Sequence, residues 1–159
     1  MFRCRGWFAA LLMVPVATVL ASCHLFHHTS APTAAGREVI DGKFAFIVND
    51  VAFSPTFADT HARGVWVIVS MAVRNVGAHP RPFEMSAQTL KDGDGRGHSA
   101  SLMTPPSIDK VDPGLQMSIK LAFDVTPGVR PTQMVLRESS SSPGAPVNLK
   151  QLQSSSPHG

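Results

Sequence analysis

The chain has 159 residues, of which 43% are hydrophobic, 16% charged and 7% aromatic. This length suits one domain with short extensions, and the apolar content excludes a disordered chain. Thirteen Pro and twelve Gly are spread along the sequence. Such frequent interruption disfavours long helices and excludes a coiled coil, a collagen and a multispan membrane protein.

The first 22 residues predict a secretion signal. Arg3 and Arg5 form a short positive start, and an uncharged, mostly apolar stretch runs from Gly6 to Leu20. Small residues follow it, which completes the three-part pattern of a cleaved signal. The apolar stretch is shorter than the roughly 20 residues that a membrane-spanning helix needs, so the pattern favours a signal over an anchor.

The end of this signal resembles the lipobox of bacterial lipoproteins. Leu20, Ala21 and Ser22 precede Cys23, as an aliphatic and two small residues precede the modified cysteine in that motif. The resemblance implies that Cys23 carries a diacylglycerol thioether and becomes the N-terminus after cleavage. The alternatives are a plain secreted protein with a chance cysteine and an uncleaved anchor.

Processing at this site would change the cysteine content and the charge. Cys4 would be removed and Cys23 acylated, which leaves no free thiol and no disulfide in the mature chain. Loss of Arg3 and Arg5 leaves 12 basic and 11 acidic side chains. Because nucleic-acid binding needs a strongly positive surface, we expect no nucleic-acid partner. We expect attachment to a membrane through the lipid on Cys23, since two acyl chains anchor stably.

The predicted signal covers residues 1–22. Composition divides the rest of the chain into three parts. Residues 23–37 are small, polar and interrupted by proline, which predicts a flexible tether. Residues 38–152 have strand-like periodicity and form the predicted domain. Residues 153–159 are polar and predict a disordered tail.

The clearest predicted strand runs from Leu115 to Val125. Its odd-numbered residues are apolar and its even-numbered residues are mostly polar, which predicts a strand with one buried face. Turn sequences flank it, with Asp-Pro-Gly at 112–114 and Thr-Pro-Gly at 126–128.

Two earlier segments also predict strands. Val65 to Arg74 is apolar on one face and mixed on the other, which indicates a central strand. Trp66, on the mixed face, is either a core residue, which we favour, or an exposed binding anchor. In Phe44 to Phe53 the apolar residues change from even to odd positions, which predicts a bulge near Asn49 and Asp50.

Shorter segments complete the predicted fold. Gln88–Lys91 and His98–Leu102 flank a glycine-rich turn and predict a hairpin. Thr132–Glu138 and Val147–Leu152 predict the last two strands. Seven to eight short strands predict an all-β fold, an immunoglobulin-like antiparallel β-sandwich.

Five segments follow one another in the order and spacing of a known family. They are Asp41–Val48, Val65–Gly77, Leu90–Arg96, Asp112–Gly128 and Thr132–Glu138. Together they resemble the telokin-like, immunoglobulin-like domains that actinobacteria export as small secreted antigens and lipoproteins. The resemblance implies a sandwich outside the cytoplasm with no established enzymatic activity, and it supplies no catalytic residue.

The acidic turn at 92–97 resembles the start of a calcium loop. Asp92 and Asp94 stand at the first and third ligand positions. However, Arg96 occupies the fifth position and Met103 the twelfth, where an EF-hand needs an oxygen ligand and a bidentate Glu. The sequence therefore predicts a solvated hairpin turn here.

Two sets of His and Met side chains raise the alternative of an exported metal carrier. Imidazole and thioether groups suit copper and zinc. A specific site needs several ligands with supporting contacts, and these residues are scattered, so we predict no metal site and no cofactor. The sets are His24, His27 and His28 beside Cys23, and His79, Met85, His98, Met103 and Met117 in the domain.

The sequence contains no recognised catalytic motif. It has neither a G-x-S-x-G elbow nor an H-E-x-x-H pair, so we predict no enzyme and no small-molecule substrate. The predicted function is that of a lipid-anchored envelope module, facing the periplasm or the cell exterior. It would act as a non-catalytic binding or scaffold module for an envelope or host protein. The alternative is a carrier of copper or another metal.

Overall fold

The computed structural model describes residues 33–101 and 107–153, which form a β-sandwich. The predicted signal, the lipobox with Cys23 and the three histidines beside it lie outside the described residues. In chain order the elements are β1 (Thr33–Ala34), β2 (Val39–Asp41), β3 (Phe44–Phe57), β4 (Thr60–Asn75), β5 (Arg81–Glu84), a 3₁₀ turn (Met85–Ala87), β6 (Thr89–Asp92), β7 (Gly97–Ser99), β8 (Ser107–Val111), β9 (Gln116–Val125), β10 (Pro131–Leu136), β11 (Ala145–Asn148) and α1 (Lys150–Gln153).

The strands form two main sheets and one small sheet. The first has the order β1-β11-β10-β6-β7, the second the order β2-β3-β4-β9, and β5 pairs with β8 in the third. Among the described strands, the β1–β11 pair is parallel and the others are antiparallel. The antiparallel β-sandwich predicted from the sequence is confirmed. The sequence pattern missed four short strands of two to five residues each, which are β1, β2, β5 and β8.

β4 is the central strand of the second sheet, as predicted. It pairs with β3 on one side and with β9 on the other. Val67 lies opposite Phe123 and Val69 opposite Leu121, so the odd-numbered residues of both strands face the core. Leu121 and Phe123 have no exposed surface, but Leu115, predicted on the same buried face, is 46% exposed. It precedes β9, at the end of the sandwich, where the second layer no longer covers it.

The predicted bulge in β3 is confirmed. The register between β3 and β4 shifts between Val48 and Asp50, so Val48 and Val51 both point into the core and are buried. Phe53 lies on the same face of β3 as Val51 but beyond the end of the core, and 50% of its surface is exposed.

Three phenylalanine rings form the centre of the core. Phe44, Phe46 and Phe83 are fully buried, and their ring centroids lie 5.1 to 6.3 Å apart in tilted arrangements. Tilted aromatic contacts at such distances add to the stabilisation by apolar burial. Phe83 belongs to β5, so this cluster ties the small third sheet to the second sheet.

The C-terminal part of the domain differs from the prediction in one element. The predicted β6–β7 hairpin and the strand beginning near Thr132 are present. The predicted final strand, Val147–Leu152, is present but its bounds are wrong, because β11 spans Ala145–Asn148 and α1 follows it. The Asn148 side chain accepts a hydrogen bond from the Lys150 N–H at 2.9 Å, and a side chain that bonds the backbone two residues on favours a turn over a strand.

The described sandwich begins before residue 38. Thr33 and Ala34 pair with Val147 and Asn148, so the last part of the predicted tether belongs to a sheet. Backbone pairing holds this segment, and such pairing leaves no apolar pattern in a sequence. Within residues 33–101 and 107–153, no helix has the length and apolar character needed to cross a membrane.

Candidate functional site: the hairpin end of the sandwich

One end of the sandwich is formed by the tip of the β3–β4 hairpin and the loop after β9. We call this end, residues 53–65 and 126–130, the hairpin end. Pairing between β4 and β9 starts at Val65, whereas β4 itself starts at Thr60. The hairpin therefore continues past β9. A second register shift, between Ser54 and Thr56, bends this continuation.

The bent tip covers Trp66 on the outer face of the second sheet. Trp66 alternates with the core-facing Val65 and Val67, so it points away from the core. It is nevertheless only 3% exposed. The Phe57 ring lies 6.3 Å from it, and its Nε1 donates a hydrogen bond to the Thr60 carbonyl at 3.0 Å. The buried interpretation of Trp66 is confirmed, and the exposed-anchor interpretation is wrong.

The turn at the tip has an unusual backbone. Ala58 and Asp59 have φ angles of 47° and 62°, which are the left-handed values of a two-residue hairpin turn. Alanine in this region costs roughly 1–2 kcal/mol. Strained backbone of this kind concentrates at functional positions.

The carboxylate of Asp124 connects the hairpin to β9. It accepts hydrogen bonds from the backbone N–H groups of Arg63 and Gly64, both at 3.1 Å, and from Arg63 Nε at 3.2 Å. The bond from the Arg63 N–H is the largest cause that lowers the pKa of Asp124, with the other donors adding to it and burial opposing it. The ionised carboxylate holds the base of the hairpin against β9.

Gly64 lies at a close backbone contact in this connection. A Cβ atom at this position would stand 2.1 Å from the Val125 carbonyl oxygen. Only glycine permits this approach. The glycine thus lets the base of the hairpin pack directly against the backbone of β9.

The loop after β9 is a tight turn. The Val129 N–H donates to the Thr126 carbonyl at 3.1 Å, Pro127 occupies the second position, and Gly128 has a φ of 89°. These are the features of a type II turn, which requires positive φ at its third position. The Thr-Pro-Gly turn predicted from the sequence is confirmed.

An open cleft of about 710 Å³ lies between the hairpin and this turn. We call it the Phe53 cleft. Phe53, half-exposed, forms part of its wall. Arg130 is the one charged residue in the lining, and its guanidinium makes no ion pair with any described residue. The lining residues are Phe53, Gly64, Val65, Pro127, Gly128, Val129 and Arg130.

A second carboxylate organises the neighbouring β6–β7 turn. Asp92 accepts hydrogen bonds from the N–H groups of Asp94 and Arg96 at 3.0 and 2.9 Å, and its Oδ2 lies 3.0 Å from His98 Nε2. The His98 contact is the largest cause that lowers the pKa of Asp92, against the opposing effect of burial. The carboxylate thus points into its own turn, as expected of a hairpin turn rather than a calcium loop.

Both carboxylates hold neighbouring loops through the hydrogen bonds that they accept. A general acid or base works best with a pKa near the operating pH, and the pKa of each group is lowered, away from neutrality. They stay ionised at neutral pH and hold the loops that border the Phe53 cleft.

The alternative of a metal carrier depends on His and Met side chains that the structure does not bring together within the described residues. Met85 is buried, Met117 packs partly against the core, and His98 is bonded to Asp92. His79 lies at the opposite end, where its carbonyl accepts a bond from Asn75 Nδ2. Met103 lies outside the described residues. Within residues 33–101 and 107–153, no group of three or more His, Cys, Asp and Glu side chains is placed to hold a metal ion.

A family model described as "Domain of unknown function (DUF4352)" matches residues 33–145. The chain belongs to this family. The match spans β1 through the start of β11 and includes both sides of the Phe53 cleft. No curated protein matches this DUF4352 chain in sequence.

Several solved structures resemble the DUF4352 chain in fold. A secreted protein from Mycobacterium tuberculosis, MPT63, has a TM-score of 0.55 and 16% identity over 76% of this chain and 99% of that chain. At this identity the likeness shows the fold, a β-sandwich. The YjhA protein from Bacillus subtilis has a TM-score of 0.48 and 16% identity over 65% and 78% of the two chains. A β-sandwich protein from Clostridium difficile has a TM-score of 0.48 and 13% identity over 76% and 95%.

Sequence reasoning had not singled out Phe53 or Arg130 as functional residues. Phe53 followed the apolar phase of β3 and therefore counted as core. Arg130 followed a turn without any motif. The one sequence signal for an irregular strand here was the proline at position 55. Proline within a strand pattern marks an edge strand or a bulge, and the register shift between Ser54 and Thr56 lies at this point.

Proposed function

We propose that this DUF4352 protein is a lipid-anchored module of the cell envelope that binds another protein through its hairpin end, without catalysis. The Phe53 cleft is the observation that carries the proposal. It combines a half-exposed aromatic ring with an arginine that makes no ion pair with any described residue, and aromatic and Arg side chains are enriched at the centres of protein interfaces. Phe53 lies on β3, and Arg130 lies on the loop that joins β9 to β10.

The predicted anchor lies close to the sandwich along the chain. Nine residues lie between Cys23 and Thr33, and this stretch of chain spans at most about 33–36 Å. A lipid on Cys23 would therefore keep the sandwich near the bilayer.

The location outside the cytoplasm rests on two supports. The N-terminal pattern is that of an exported lipoprotein, and the sandwich resembles that of a secreted mycobacterial protein. Membership of the exported actinobacterial antigens and lipoproteins belongs to the same proposal.

The anchor is tested by Cys23→Ser. Because Cys23 is the one residue able to carry the thioether, we expect the variant to leave the membrane fraction or to remain unprocessed. Fractionation of cells, followed by mass measurement of the protein, checks this. The control is Cys4→Ser, whose side chain would be removed with the signal and should leave membrane attachment unchanged. Normal maturation and membrane retention of Cys23→Ser would contradict the anchor.

The binding role of the hairpin end is tested by photo-crosslinking in cells. A benzoylphenylalanine placed at Phe53 should give an adduct of discrete mass with a partner protein. The matched control is the same residue at Leu115, which is comparably exposed but lies at the opposite end of the sandwich. Adducts of equal yield at both positions, or none at Phe53, would contradict the proposed function.

A further inference from the structure

We propose that the Phe53 cleft recognises a partner segment in which an apolar side chain stands beside a carboxylate. Phe53 would contact the apolar side chain and Arg130 the carboxylate. This inference rests on the proposed function, because it names the chemistry of the protein partner that the hairpin end would bind.

The wall and floor of the cleft suit an apolar side chain. Phe53 leaves half of its surface exposed, and Val65, Pro127 and Val129 line the cleft with it. Gly64 contributes only backbone to the floor, because the Val125 carbonyl occupies the space next to it. Covering an exposed aromatic ring removes apolar surface from water and is favourable.

The charges around the cleft favour an anion at Arg130. Three carboxylates near the cleft already have donors of their own, and Asp59, at the hairpin tip, does not line the cleft. Asp124 is bonded to Arg63, and Asp92 to His98 and two backbone N–H groups. Asp94 pairs with Arg96 at 3.4 Å. Arg130, on the cleft side of the turn, has no such partner among the described residues. Its planar guanidinium matches a carboxylate with two parallel hydrogen bonds.

The backbone holds Arg130 in place before any partner binds. Its carbonyl accepts a hydrogen bond from the Gly93 N–H at 3.1 Å, which ties it to the β6–β7 turn. The type II turn at 126–129 fixes the chain just before it. Preorganisation of this kind lowers the entropy lost on binding.

Anionic lipid is the main competing ligand for an exposed arginine. Phe53, Val65, Pro127 and Val129 line the same cleft as Arg130, and the Phe53 ring is half-exposed. A peptide that carries an apolar side chain beside a carboxylate would contact both kinds of group, whereas a phospholipid headgroup would contact Arg130 alone.

The test is a titration followed by NMR amide shifts. The protein is chain 23–159 with Cys23→Ser, which contains every described residue. Three probes are used: acetyl-phenylalanyl-glutamate amide, the same peptide with glutamine, and acetyl-phenylalanine with a free carboxylate.

We expect shifts at the Gly64 and Gly128 amides and about fivefold tighter binding of the glutamate probe than of the glutamine probe, the upper range for an exposed ion pair. The third probe distinguishes a side-chain carboxylate from a chain end.

Arg130→Gln should abolish the preference for the carboxylate while leaving the apolar contact. The matched control is Arg37→Gln, which makes the same change at an exposed position that does not line the cleft, and it should keep the preference. Equal binding of both peptides by the unmodified chain, a preference that survives Arg130→Gln, or no shift at Gly64 and Gly128 with any probe would overturn the inference. A fourth result would also overturn it. In this result neither peptide is preferred, but the unmodified chain binds phosphatidylglycerol vesicles and Arg130→Gln abolishes that binding.

Crosslinking separates this inference from the proposed function. If the Phe53 adduct forms equally well in the Arg130→Gln background, the binding role stands and the carboxylate chemistry is wrong. If no adduct forms at Phe53, the proposed function fails whatever the peptides show.

Discussion

At the scale of single residues, the side chains of the hairpin end divide into two roles. Asp92 and Asp124 point into the protein and accept hydrogen bonds from the loops around them. Phe53 and Arg130 point into an open cleft. The first pair shapes the site and the second pair is available to a partner, so substitutions in the two pairs should differ in their effects on stability and on binding.

Phe123→Ala should strongly destabilise the domain. Phe123 has no exposed surface, and removing a buried aromatic side chain costs about 3–5 kcal/mol, a large part of the roughly 5–15 kcal/mol that holds a domain together. Urea unfolding measures the loss. Leu115→Ala, at a residue 46% exposed, is the control and should cost much less. Similar losses in both variants would show that burial does not distinguish these two positions.

Asp92→Asn should destabilise the protein in a pH-dependent way. The pKa of Asp92 is lowered in the folded state, so its stabilising effect is fully present above the ordinary value of 3.8 and is lost as the pH falls through the lower folded value. The melting temperature of the variant should therefore lie below that of the unmodified protein at pH 7, and the gap should narrow below pH 3.8.

Asp94→Asn is the control for this measurement. Its side chain is 73% exposed, and it should change the melting temperature little at either pH. A gap for Asp92→Asn that stays constant from neutral pH to acid would contradict the role assigned to the ionised Asp92 carboxylate.

At the scale of elements, the hairpin is the part of the fold with a geometry of its own. β3 and β4 are long strands with two register shifts, one inside the sandwich and one beyond it. The inner shift keeps apolar residues in the core on both sides of the bulge. The outer shift bends the tip over Trp66, and the bend depends on the close contact between Gly64 and β9.

Gly64→Ala should disturb this bend. The added Cβ would meet the Val125 carbonyl at 2.1 Å, so the hairpin base must move, and overpacking of this kind costs about 1–3 kcal/mol. We expect a lower melting temperature and altered amide shifts at Arg63 and Asp124. Gly93→Ala is the control, since a Cβ there makes only an ordinary contact, 3.9 Å from the Thr132 side chain. Equal effects of the two substitutions would refute the assigned contact.

At the scale of the whole molecule, the packing of two facing sheets around one hydrophobic core holds the fold together. The core joins residues from both main sheets and from the small β5–β8 sheet. The sheets of such a sandwich position the loops at its ends, and binding residues lie on loops of this kind more often than on the sheets.

Metal ions should not stabilise the sandwich. A ligand that binds only the folded state adds RT ln(1 + [L]/Kd), about 2.7 kcal/mol at a hundredfold excess over Kd. We expect the melting temperature of the Cys23→Ser chain to stay the same with a chelator and with one equivalent of copper, zinc or calcium. A rise of several degrees with copper that His98→Ala abolishes would favour a metal carrier instead.

Local patterns in the sequence predicted much of the second sheet. Alternation in β4 and β9 identified the core-facing side of each strand, and the phase change in β3 identified the bulge. Turn sequences such as Thr-Pro-Gly at 126–128 marked strand ends. These features were predictable because they depend on neighbours one to four residues apart, where strand geometry and the fixed φ of proline act directly.

The sequence by itself thus determined the β class, the inner faces of the long strands and the turns between them. Only the tertiary structure decided which apolar residues are covered. Alternation gives the side on which a residue lies, but burial depends on what stands opposite. For that reason Phe53 and Leu115 are exposed while Trp66 is buried on the outer face. The Phe53 cleft joins residues 53 and 130, which are far apart in the chain, and long-range packing of two sheets is what brings them together.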